Sequence, residues 1–159
     1  ETLKTQPDQL TDRVEKLLAQ LKAAEKQIEG YRSRELLAGA SGLVGRATDA
    51  GGVRLVAELV AGASGGDLRT IALEVRTELG SDAAVVAVGG GTADKPVLAV
   101  ATSEAARAKG ARAGQLVALG AAQLGGRGGG KDDFAQGGGT NGAGSAEALK
   151  AIRAAVTAL

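Results

Sequence analysis

The sequence predicts a mixed α/β (α+β) fold. A coiled-coil-like helical segment precedes a small globular domain whose mixed sheet is flanked by helices. Three observations carry this. An apolar repeat of 3.5 residues runs from Leu10 to Tyr31. From Val53 onward, short apolar, partly β-branched runs alternate with helical spacings. Glycine-rich breaks separate those runs. Alternation of this kind points to a sheet covered by helices rather than to an all-helical or all-β domain.

The elements follow in chain order. Leu10, Val14, Leu17, Leu21, Ala24, Ile28 and Tyr31 are spaced alternately by four and three, the seam of a coiled coil. Leu18 widens the apolar face, Pro7 and Asp8 suit a helix start, and Gly30 interrupts near the other end. Such a seam fits a coiled-coil hairpin or a subunit contact through Leu10, Val14, Leu17, Leu21 and Ile28. The alternative is a helix packed on its own globular domain. Ser33 to Ala47 reads as a second, shorter helix, with Leu36, Leu37, Ala40, Leu43 and Val44 recurring at three and four. The turn Asp49-Ala50-Gly51-Gly52 marks the boundary, giving a helical segment over 1–48 and a globular domain over 52–159.

Val53 to Val60 reads as a strand and Gly62 to Gly66 as a loop. Asp67 is the expected cap of a helix carrying Leu68, Ile71, Leu73, Val75 and Leu79. Ala83 to Val88 reads as a short strand, with Gly89-Gly90-Gly91 turning the chain. Val97 to Thr102 forms the next strand, and Ser103 caps a short helix through Ala108. Ala113 to Leu124 and Ser145 to Leu159 read as helices separated by a long glycine-rich loop.

Composition excludes several classes of chemistry. The 159 residues contain no Cys and no His. Disulfides, thiol nucleophiles, Ser-His-Asp arrangements and the usual zinc ligands are therefore ruled out within this chain, and no metal site is expected. The net charge is +1, so any nucleic-acid contact must come from local basic residues or backbone amides. Tyr31 and Phe134 are the sole aromatics, too few for a platform of stacked bases. No run is long and apolar enough to span a bilayer. The chain opens at Glu1 and has no Met, which reads as a piece of a longer protein.

The segment Gly125 to Gly139 places two glycine triplets around a short polar and aromatic stretch. Arg127 and Lys131 bracket the first triplet, and amides at Gly128, Gly129 and Gly130 complete an anion site suited to a sugar-phosphate backbone. Gln136 adds a potential hydrogen bond to a base or ribose. Arg107, Lys109 and Arg112 form a second basic cluster, whose plainer reading is a solvated surface. Two other readings stand beside the RNA-contacting loop. Gly125, Gly130 and Lys131 match a nucleotide phosphate loop, but Asp132 stands where Ser or Thr ligates magnesium. A flexible linker is the third, although it has little use for Phe134.

These residues carry a resemblance. Gly-Gly-Arg-Gly-Gly-Gly-Lys-Asp-Asp-Phe-Ala-Gln-Gly-Gly, from Gly125 to Gly138, resembles the signature of the DHH-associated domain that closes alanyl-tRNA synthetases. The stretches Arg34-Glu35-Leu36-Leu37, Asp67-Leu68-Arg69 and Lys109-Gly110-Ala111-Arg112-Ala113-Gly114 fall where that family has them. The related DHH phosphoesterases carry a His where Lys131 stands, which favours the synthetase. The resemblance implies a module that binds the outer corner of alanine-specific tRNA and self-associates through its helical segment. Aminoacylation and editing, with ATP, magnesium and zinc, would belong to upstream domains of a cytoplasmic synthetase, and the fragment would hold no cofactor or catalytic residue. A purely structural dimerisation module and the substrate-binding domain of a DHH phosphoesterase are the alternatives.

Overall fold

The computed structural model describes residues 7–159; the side chains of Pro7, Asp8, Gln9, Ser33, Leu36 and Leu37 lie outside the described set. The chain forms two compact units, dividing between Glu35 and Leu36. One helix, α1 (Pro7–Val44), runs through that division. The two helices expected from the sequence are therefore a single one. Gly30, Gly39 and Gly42 do not end it, because none adopts a positive φ or crowds a neighbour. Each weakens the helix without breaking it. In the first unit Leu17, Leu21 and Ile28 are 50%, 56% and 60% exposed.

The second unit is built on a six-stranded sheet of order β1-β2-β3-β4-β6-β5. Its strands are β1 (Thr48–Asp49), β2 (Arg54–Leu59), β3 (Ala84–Gly91), β4 (Pro96–Thr102), β5 (Arg127–Gly130) and β6 (Phe134–Gly138). β2 and β3 are parallel, and every other pair is antiparallel. The parallel pair is joined through α2 (Gly65–Glu78), since parallel neighbours need a crossover. α3 (Glu104–Ala108), α4 (Ala113–Gln123) and α5 (Ser145–Thr157) complete the unit.

Helices cover both faces of the sheet, and the strand sequences reflect this. Val85, Ala87, Leu98 and Val100 pack with Leu116, Val117, Ile152 and Val156 of α4 and α5. Val86, Val88, Ala99 and Ala101 pack with Leu68, Ile71 and Val75 of α2, and with Ala40 and Leu43 near the end of α1. Because every position of Ala84–Val88 is buried, the segment reads as one apolar run without alternation.

Two local expectations change. The cap of α2 is Ser64, whose hydroxyl accepts from the Asp67 N–H while the Asp67 carboxylate accepts from the Ser64 N–H. Asp67 is thus the third helical residue of a capping box, not the cap. Gly89, Gly90 and Gly91 continue β3 against Leu98, Val97 and Pro96, and the reversal follows at Thr92–Lys95. Glycine is needed there because a Cβ on Gly90 would lie 2.7 Å from the Ala63 carbonyl oxygen. Ser103 does cap α3; its hydroxyl accepts from Ala106 N–H and also from Ala84 N–H in β3.

Candidate nucleic-acid interface

The glycine-rich segment is a β-hairpin rather than a loop. α4 ends at Gln123 with Leu124 as its C-cap, and Gly125 takes φ +67°, the left-handed turn that stops a helix. β5 then runs out and β6 returns between β5 and β4. The glycines let α4 lie directly on this ribbon. A Cβ on Gly128 would overlap Val117 Cγ1, and one on Gly137 would approach the same atom to 2.9 Å. A side chain at either position would lift the helix off the sheet.

This geometry also decides where the backbone amides go. Lys131 N–H donates to the Phe134 carbonyl at 2.9 Å. The alternation of an antiparallel ladder then pairs Gly129 with Gln136 and leaves the main-chain groups of Gly128 and Gly130 outside the β5–β6 ladder. The amides expected to converge on one anion are therefore spread along an extended strand. Those of Gly128 and Gly130 reach the free edge of the sheet, and that of Gly129 is held within it.

Side chains sort by the same alternation. Gly128 and Gly137 face α4, so Arg127, Gly129, Gln136 and Gly138 look to the opposite side, that of α2. On that side a cleft of about 370 Å³ is lined by Arg69, Gly129, Gly130, Lys131, Asp133, Phe134, Ala135 and Gln136. Nothing stands within 4 Å of the position a Gly129 Cβ would take, so this wall is bare backbone. The Arg69 guanidinium sits 4.8 Å from the centre of the Phe134 ring, within cation–π range. Phe134 itself is half-buried against the α2 side of the core.

Of the residues singled out in the sequence, Gly129, Gly130, Lys131 and Gln136 meet at this cleft. Arg127 shares the face but pairs with Gly138 at the far end of the hairpin. Four residues of extended strand, about 13 Å, separate it from Lys131. Gln136 has a structural partner as well: its Nε2 donates to the Gly65 carbonyl at 2.6 Å, tying β6 to the first turn of α2.

The second basic cluster does not assemble into one patch of free cations. Arg107 donates to the Thr102 carbonyl at 2.8 Å, and Lys109 to the Gly52 carbonyl at 2.6 Å. Arg112 forms an ion pair with Asp132. That pair neutralises one carboxylate of the hairpin turn. The turn is further fixed by the Asp132 carbonyl, which accepts from Ala113 N–H and the Thr102 hydroxyl, and by the Asp133 carbonyl, which accepts from Thr102 N–H and Arg76.

Arg69 and Arg76 were not singled out as site residues in the sequence, yet they border the hairpin. Their spacing of seven puts them on one face of α2, and that spacing was the available signal. Among the described residues no group of three or more carboxylates is placed to hold a metal ion. No described helix is long and apolar enough to cross a membrane.

A mixed sheet edged by a glycine hairpin on a helix defines the class of domain. Residues 52–158 match the DHHA1 domain, and the chain belongs to that family. It is 52% identical over 157 residues to the alanine–tRNA ligase of Cutibacterium acnes, covering 99% of this chain and 18% of that protein. The alanine–tRNA ligase of Arthrobacter sp. is 52% identical over 158 residues, again covering 99% of this chain and 18% of the relative. The C-Ala domain from Aquifex aeolicus alanyl-tRNA synthetase shares the fold, with a TM-score of 0.63 at 24% identity over 70% of this chain and 97% of that one. The chain thus spans less than a fifth of the length of these ligases.

Proposed function

We propose that this chain is the C-terminal tRNA-binding region of a cytoplasmic alanine–tRNA ligase, and that it carries no step of the ligase reaction itself. The observation that carries this is 52% identity to alanine–tRNA ligases along nearly the whole chain. The same likeness favours the ligase over a DHH phosphoesterase. Alanine activation with ATP and magnesium, and zinc-dependent clearing of mischarged tRNA, are assigned to domains outside the chain, which this region assists by holding the tRNA.

The open face of the hairpin is the contact surface in this reading. Arg127 and Lys131 stand at its two ends, with glycine backbone between them over which a sugar-phosphate chain can pass closely. Contacts of this kind read the shape of the tRNA outer corner rather than its sequence. Few phosphates are engaged, so affinity is modest and falls with salt at about −0.7 to −0.9 in log–log slope per phosphate.

The test is binding of the chain to alanine-specific tRNA by gel shift, wild type against Arg127→Ala/Lys131→Ala. We expect binding by the wild type and a loss of roughly a hundredfold or more in the double variant, the scale of two charge-assisted contacts. Unchanged binding in the double variant removes the hairpin from the function. A second role rests on the exposed apolar residues of α1: Leu10, Val14, Leu17, Leu21 and Ile28 form a seam through which the ligase self-associates.

A further inference from the structure

We infer that Arg69, on α2 and outside the glycine motif, is a further RNA-binding residue that takes a backbone phosphate in the cleft together with Lys131. The inference rests on the tRNA-binding reading and extends it to a residue on a different element.

Four observations converge on Arg69. It is exposed, flanking the buried row of Leu68, Ile71, Ala72 and Val75 on α2. Phe134 holds it in place, with the guanidinium 4.8 Å from the ring centre. Its donors are unengaged: a guanidinium carries five N–H groups, and no hydrogen bond or ion pair to Arg69 occurs among the described residues. Arg76, the other arginine on that helix face, instead donates to the Asp133 carbonyl. Finally, Arg69 shares the cleft with Lys131, across a wall formed by Gly129 and Gly130.

The chemistry selects a phosphate diester. A planar guanidinium fork matches two phosphate oxygens, and a lysine ammonium adds a point charge to the same group. The bare glycine wall leaves room for a sugar-phosphate backbone to lie against the strand. A ring beneath the guanidinium fixes its direction, so less freedom is lost on binding.

The experiment is a salt titration of the whole chain binding an alanine-specific tRNA transcript, followed by fluorescence anisotropy. Variants are Arg69→Gln, Arg69→Lys and Phe134→Leu, each checked by thermal melting. Arg69→Gln is expected to bind roughly tenfold more weakly, with the log–log salt slope reduced by about 0.7 to 0.9, one phosphate contact. Arg69→Lys is expected to keep the slope. Phe134→Leu is expected to lose about threefold in affinity with the slope intact, as a positioning residue should. Wild-type affinity and slope in Arg69→Gln, alongside a weakened Arg127→Ala/Lys131→Ala, would overturn the role of Arg69 and leave the tRNA reading standing. Lost affinity with an unchanged slope would overturn the phosphate in favour of a base contact. No binding by the wild type would overturn both.

Discussion

At Gly128 a single methyl group is enough to disturb the interface. Its Cβ would overlap Val117 Cγ1 and would lie 2.8 Å from the Gly137 α-carbon. Gly128→Ala is therefore expected to destabilise the chain by about 1–3 kcal/mol in urea unfolding, as overpacking does. Adding Val117→Ala should recover part of that loss, a coupling measurable in a double-mutant cycle. A stability for Gly128→Ala equal to wild type would mean that α4 does not rest on the ribbon. The need for glycine here was not legible in the sequence. A glycine run carries no directional signal, and an amide cradle and a close helix contact produce the same letters. The cap of α2 was misassigned to Asp67, although Ser followed three residues later by Asp is the spacing of a capping box and pointed to Ser64.

Elements were read best where periodicity was strong and worst where glycine stood in place of side chains. β2, β4, α3, α4 and α5 lie close to their expected positions. β5 and β6 were missed because Arg-Gly-Gly-Gly and Phe-Ala-Gln-Gly-Gly hold too few side chains to show a period of two. The opposite error befell α1, where Gly30 was read as an interruption. Glycine inside an exposed helix costs about 0.5–1 kcal/mol and need not end it. Gly30→Ala, whose methyl meets nothing within 4 Å, is expected to raise the helical signal in circular dichroism and delay its thermal loss. A decrease in helicity would show that the glycine serves a kink.

For the whole molecule, the class of fold was legible and the strand order was not. Apolar runs buried on both faces announce a covered sheet. The insertion of β6 beside β4 depends on Ala135 meeting Val100 and Phe134 meeting Ala101, pairings that no local pattern encodes. The proposed self-association belongs to this scale. Leu17→Asp/Leu21→Asp is expected to convert a concentration-dependent assembly into monomers in analytical ultracentrifugation, with tRNA binding by the hairpin retained. Identical sedimentation of wild type and variant would remove the seam from the account.

The order of the sheet has a consequence for colloidal behaviour. Unpaired strand edges are templates on which other copies of a protein nucleate fibrils. Here one edge strand, β1, is only two residues long, and the other, β5, is an arginine followed by three glycines. A stray strand pairing with β5 gains main-chain bonds but almost none of the cross-strand side-chain contacts, each worth about 0.2–1 kcal/mol, that make such pairing persist. The same nakedness invoked for the proposed polynucleotide contact makes the hairpin a poor seed for amyloid, so this edge can stay open to a ligand without becoming adhesive to its own kind.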